Sequence, residues 1–247
     1  MTVPLRACLA LAGIVVAFAV ACRSRPLVER VVIARGGPVG TVVIEAVGRV
    51  QQGFPGEWRW RRTFSRPDRY AWTIFTTGEP IHHLLAGTIV RAFVGTAQTA
   101  EDASPDAALR SQARFVAVML LDVLSAPGMR VEGIAPNELP AGLRAGVTVR
   151  FPGSDERYTV LFDDRLRPVQ VEGPVDLEPV GRGRLVARQD DFRTVAGRLL
   201  PHHVVYELDG KALADERALA VCVRDEPLPV EAFAHPAGLP DCSKAEP

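Results

Sequence analysis

From residue 41 onward the chain is dominated by alternation between apolar and polar side chains. Val42, Ile44, Ala46, Gly48 and Val50 alternate with Val43, Glu45, Val47, Arg49 and Gln51, the period of two that marks a strand. Gly53-Phe54-Pro55-Gly56 reads as a turn. Glu57 to Phe64 is the next strand, with Trp58, Trp60 and Arg62 on one face and Arg59, Arg61 and Thr63 on the other. Ser65-Arg66-Pro67-Asp68 turns into a strand from Arg69 to Phe75, and Gly78-Glu79-Pro80 into another from Ile81 to Leu85. Gly87 to Val94 adds a fifth. Turns this short join antiparallel neighbours, so the first half reads as a meander.

The period then changes. Ser104-Pro105-Asp106 opens a helix, with Ser104 as its cap and Pro105 in its first turn. The pattern carries it to Leu124, before Ala126-Pro127-Gly128. Leu109, Ala113, Val116, Leu120 and Val123 form one stripe, and between Phe115 and Leu124 only Asp122 is charged. A helix apolar nearly all round is buried on more than one side, which suits a plug in a concave sheet. Strand signals return at Val147 to Phe151, Tyr158 to Phe162, Val169 to Glu172, Arg184 to Phe192, His202 to Leu208 and Ala218 to Arg224. Asp209-Gly210 marks a tight hairpin between two of them. A Pro-rich tail, 227–247, packs irregularly.

The N-terminus differs in kind. Arg6 is followed by an uncharged apolar run from Ala7 to Cys22 that ends Ala19-Val20-Ala21-Cys22. This reads as a signal peptide over 1–21. It is too short for a comfortable membrane span of about 20 apolar residues. Ala19-Val20-Ala21 suits ordinary A-x-A cleavage, but with Cys22 behind it the segment resembles the lipobox of bacterial lipoproteins. That resemblance implies lipidation of Cys22, a palmitate-type acyl anchor, and a tether over 22–38. Cys8 leaves with the signal, so lipidation of Cys22 leaves Cys222 and Cys242 to pair in an oxidising compartment.

Cleavage leaves about 225 residues, enough for one large β domain, placed at 39–226. Hydrophobic residues make up 47%, which supports a core and argues against disorder. The 29 basic and 29 acidic residues cancel, so no global field attracts nucleic acid. Only Lys211 and Lys244 are lysines, an arginine bias that reads as genome composition.

The order of elements resembles the LolA/LolB family of periplasmic lipoprotein carriers. Phe64-Ser65-Arg66-Pro67-Asp68-Arg69-Tyr70 is similar to the family's early F-x-x-P-x-x-Y hairpin. Tyr158 to Pro168, followed by Val169, is similar to its strand, Asp turn, Pro and strand segment. Asp191-Phe192-Arg193, Gly197, Leu200-Pro201 and Asp209-Gly210 follow its late segment. The resemblance implies a mainly β fold with α: an unclosed antiparallel half-barrel with a helix lid over an apolar cavity. It implies a non-enzymatic envelope lipoprotein that carries lipid or acylated lipoprotein cargo. The partners would be the outer membrane and a periplasmic carrier or envelope protein, with no cofactor. It also implies a strand arginine that ties lid to barrel, for which Arg59 and Arg61 are candidates beside simple solvation. The long tail departs from the family pattern.

No G-x-S-x-G, H-E-x-x-H, G-x-x-x-x-G-K or G-x-G-x-x-G appears. His82-His83 and His202-His203 are neighbours whose side chains leave a strand on opposite faces, so neither pair chelates by itself. Asp163-Asp164 and Asp190-Asp191 read as turn residues. Trp58, Trp60, Tyr70, Trp72 and Phe75 form an aromatic cluster, and Trp58, Trp60, Trp72 and Phe75 are cavity candidates with Phe115, Val116, Met119 and Leu120 of the helix. They are either ordinary core or the wall of a ligand cavity. A partner-binding lipoprotein with a filled core is the competing expectation.

Overall fold

The computed structural model describes residues 27–99 and 106–242. The signal peptide, Cys22 and the expected helix cap at Ser104 lie outside them. Among the described residues, thirteen strands form one antiparallel sheet. In chain order they are β1 (Thr41–Val50), β2 (Gly56–Ser65), β3 (Arg69–Phe75), β4 (Ile81–Ala86), β5 (Ile89–Val94) and β6 (Ala97–Gln98). Then follow β7 (Arg130–Gly133), β8 (Ala145–Arg150), β9 (Tyr158–Phe162), β10 (Pro168–Leu177), β11 (Gly181–Val195), β12 (Arg198–Leu208) and β13 (Lys211–Arg224). Spatially the order runs β6-β5-β4-β3-β2-β1-β13-β12-β11-β10-β9-β8-β7. Each half is a meander, and the first and last strands join the halves at the centre.

Helix α2 (Asp106–Met119) leaves one edge strand, β6, and leads to the other, β7. It touches β9 and β10 on one wing and β2 and β4 on the other. A single helix reaches both wings only if the sheet curls round it, and β6 and β7 remain unpaired edges. The fold is therefore the expected unclosed antiparallel half-barrel with a helix across its concave face. The hairpins follow local chemistry. Ala196-Gly197 and Asp209-Gly210 both take positive φ, the primed turn that matches strand twist.

Some boundaries differ from the sequence reading. The helix ends at Met119, five residues before Leu124, because Leu121 turns to φ 59° and Asp122 is drawn into a tertiary pair. Asp190 and Asp191 lie within β11, not in a turn. The ladder passes from Asp190↔His203 to Phe192↔Pro201, skipping Asp191 (φ 47°) and His202 opposite it. Part of the expected tether is structured: α1 spans 27–34 and inserts Val28 and Val31 into the main core.

The outer face carries a second small core. Ala71, Leu84, Ala86 and Phe93 are buried there by Leu228 and Phe233 of the tail. Thr41 and Ser65 hydroxyls both accept from the Leu228 amide, and Arg69 donates to its carbonyl. Asp241 pairs with Arg61, and Cys242 is joined to Cys222. The tail is a strap bonded across the back of β1 to β5.

Candidate ligand cavity

On the concave face, alternation places Trp58, Trp60, Arg62 and Phe64 of β2 beside Tyr70, Trp72 and Ile74 of β3. Trp58 and Trp60 stand opposite Gly48 and Ala46 of β1, where small residues leave room for indole rings. A Cβ at Gly48 would come within 2.4 Å of the Trp60 ring. Tyr206 of β12, with Ala214 and Glu216 of β13, continues this face across the central pair.

Between this wall and α2 lies a cavity of about 370 Å³. Trp58, Trp60, Trp72, Phe115, Val116 and Met119 all line it, so six of the eight residues expected there from sequence are brought together. All three tryptophans of the chain are among them. Val175, Leu177, Val180 and Leu185 close the far wing. Phe54, 65% exposed in the β1–β2 turn, reaches the cavity's edge, and its carbonyl accepts from the Trp58 indole at 2.9 Å.

Two of the eight lie elsewhere. Phe75 faces outward, because it is an odd step from Trp72 on the same strand, and the guanidiniums of Arg59 and Arg61 stack over it at 5.3 and 5.5 Å. Leu120 follows the end of α2 and borders a separate void of about 30 Å³.

The two lid-contact candidates are also on the outer face. Arg59 bonds Glu45 at 2.9 Å; Arg61 bonds Glu45 and, through Nη2, Asp241 at 3.1 Å. They tie β1, β2 and the tail, not the helix. The ties to α2 come from its own side chains. Arg110 donates to the carbonyls of Gly87 and Thr88 at 2.6 Å, Ser111 accepts from the Asp176 amide at 2.9 Å, and Arg114 pairs with Glu156 at 3.2 Å.

The inward arginine is Arg62, on the tryptophan face. Its Nη1 donates to both Glu216 oxygens at 2.8 and 2.7 Å and to the Tyr206 hydroxyl at 3.2 Å. Its carbon stacks over Trp60 at 5.4 Å and Tyr206 at 5.7 Å. Burial alone would lower the Arg62 pKa; Glu216, with Tyr206 and Tyr70, outweighs it and holds the guanidinium above its ordinary value. Burial pushes the Tyr70 hydroxyl up to about 12, against the pull of Arg62, so it stays protonated. Period-two parity with Trp58 and Trp60 was the signal that could have found Arg62.

The histidines separate as alternation requires. His82 bonds Thr73 outside, while His83 turns inward beside Trp72, 6.0 Å between ring centres. His202 borders the small void, and His203 is held outside between Asp190 and Asp215 at 2.7 and 2.9 Å. Among the described residues no cluster of three or more His, Cys, Asp or Glu side chains is arranged to hold a metal. Asp163 is a turn residue: its carboxylate accepts from the Arg165 and Arg167 amides.

The fold settles the comparison that the sequence motifs raised. A LolA superfamily protein from Nitrosomonas europaea superposes with a TM-score of 0.52 over 85% of this chain and 96% of its own, at 10% identity. This chain has a LolA-like fold. A DUF1329 family protein from Desulfovibrio piger aligns over 89% of this chain and 99% of its own, at 11% identity and a TM-score of 0.49. No known family profile and no curated protein matches the sequence. At such identity the likeness concerns the LolA-like fold alone, and function rests on the cavity.

Proposed function

We propose that this chain is a bacterial envelope lipoprotein that binds a lipid, or the acyl chains of a lipid-modified protein, beneath α2. Cys22 carries its membrane anchor, and delivery at the outer membrane is its task. The observation that carries the reading is the open, aromatic-lined cavity of about 370 Å³. That size falls at the lower end of small-molecule sites, about 300–1,000 Å³. Each methylene buried there contributes about 0.8 kcal/mol, so an acyl chain binds without any catalytic group. Transfer then follows affinity: the helix opens, the chain enters, and a tighter acceptor removes it. The competing expectation of a self-filled core loses ground to the space under the helix.

Native mass spectrometry with lipid extraction, on protein from residue 23 purified from bacterial envelopes, tests the reading. A co-purifying lipid or lipopeptide that disappears in Val116→Trp supports carriage. A clean apo mass with no uptake of added lipid sinks it in favour of a partner-binding subunit.

A further inference from the structure

The cavity is not uniformly apolar, and its polar end has a definite charge balance. Arg62 and Tyr206 line both the main cavity and the small void behind it. Glu216 borders that void and is 4% exposed. The Arg62–Glu216 pair therefore cancels its own charge at the boundary of the two spaces. The carboxyl that lines the main cavity itself is Glu178, beside Pro179. Summed over Arg62, Glu216 and Glu178, the surroundings carry an excess of negative charge.

Hydrogen-bonding capacity nevertheless remains. A guanidinium has five N–H donors; the Nη1 of Arg62 serves Glu216 and Tyr206 and one further hydrogen bond goes to Tyr70, which leaves donors over. The Tyr206 hydroxyl accepts from Arg62 and keeps its own hydrogen to donate. Tyr70 beside them is protonated. These groups suit a neutral carbonyl oxygen. An incoming carboxylate would be a third charge, next to a cation already satisfied, in a poorly hydrated place where an unpaired charge is costly.

We infer that the cavity selects an acyl lipid with an uncharged carbonyl head, an ester or amide, over the free fatty acid. The carbonyl is received by Arg62, Tyr70 and Tyr206, and the chain runs along the three tryptophans towards Phe54. This deepens the proposed function and rests on it.

The test compares methyl dodecanoate, monododecanoyl glycerol and dodecanoate, at a pH where the free acid is ionised. Binding is read by intrinsic tryptophan fluorescence, which reports from the cavity alone because every tryptophan lines it. The two neutral ligands are expected to bind at least about tenfold more tightly than dodecanoate. Glu216→Gln leaves Arg62 unbalanced, so it is expected to reverse the preference in favour of dodecanoate. The ligand series on the unmodified protein decides the matter even if that variant fails to fold. Dodecanoate binding as tightly as its ester overturns the charge selection. No response to any ligand overturns both this inference and the lipid-binding reading beneath it.

Discussion

Arg35, just after α1, pairs with Asp122, just after α2, at 3.4 Å with side chains 6% and 0% exposed. The same Asp122 oxygen accepts from the Val39 amide at 3.3 Å. The pair clamps the N-terminal segment against the base of the helix. Burial pushes the Asp122 carboxyl up despite Arg35, and pushes the Arg35 guanidinium down despite Asp122. Desolvation thus opposes both charges, and attraction offsets part of that cost. Removing one partner leaves the other buried alone, so Arg35→Met is expected to lower stability by about 3–5 kcal/mol. Adding Asp122→Leu removes the stranded charge and is expected to recover part of the loss. Urea denaturation of both variants checks this; a double variant less stable than the single would contradict it.

The clamp also marks a limit of sequence reading. Most of the sheet was legible because its strands alternate and its turns carry Gly, Pro and Asp. The end of α2 was not, because its apolar pattern continues through Val123 and Leu124 and only the distant Arg35 and Val39 draw Asp122 away. β6 has two residues and β7 four, too short for any periodicity to show. The faces were legible as sets, Trp58 with Trp60 and Arg62, and Arg59 with Arg61. Which set faces the cavity was not, since both faces of β3 and β4 are apolar. The tail buries Ala71 and Leu84 on one side while α2 covers Tyr70 and Leu85 on the other. That second cover is why Phe75 was expected in the cavity, and why both a lid contact and simple solvation stayed open for Arg59 and Arg61.

Tyr158 of β9 lies across Gly173 of β10, where a Cβ would come within 2.3 Å of the ring. Tyr158 is fully buried and packs edge-on against Phe115 and Phe151, at 6.5 and 5.5 Å between centres. It has no free direction in which to yield. Gly173→Ala is expected to cost about 1–3 kcal/mol by overpacking. Thermal unfolding reads the loss. An unchanged Tm would show that the ring is less confined than this packing implies.

The tail strap makes two separable contributions. Phe233 is fully buried against the outer face of β3 and β4, so Phe233→Ala is expected to cost about 3–5 kcal/mol. The Cys222–Cys242 bridge closes a loop of 20 residues, worth about 3 kcal/mol through restriction of the unfolded chain. Cys242→Ser is therefore expected to destabilise globally while lipid affinity holds, since Cys222 lies opposite Val43 on the outer side. Denaturation and lipid titration of one preparation separate the two effects. A parallel fall in affinity would place the tail in the binding machinery.

Movement of α2 sets the exchange rate of anything held beneath it. The firmest polar tie at its N-terminal half is Arg110, whose two 2.6 Å bonds reach carbonyls of the β4–β5 turn. Bonds from a charged donor are each worth about 1.5–3 kcal/mol when buried, and less here because Arg110 is 29% exposed. Removing both is expected to raise lid opening by about tenfold, the equivalent of about 1.4 kcal/mol. Arg110→Ala should therefore take up and release methyl dodecanoate about tenfold faster in stopped-flow tryptophan fluorescence, with a smaller change in Kd because both rates rise. Arg59→Ala, a change on the outer face where Arg59 meets Glu45, should leave both rates as they are. If Arg59→Ala speeds exchange while Arg110→Ala does not, the helix is governed from the sheet's far side and the latch assigned to Arg110 is wrong.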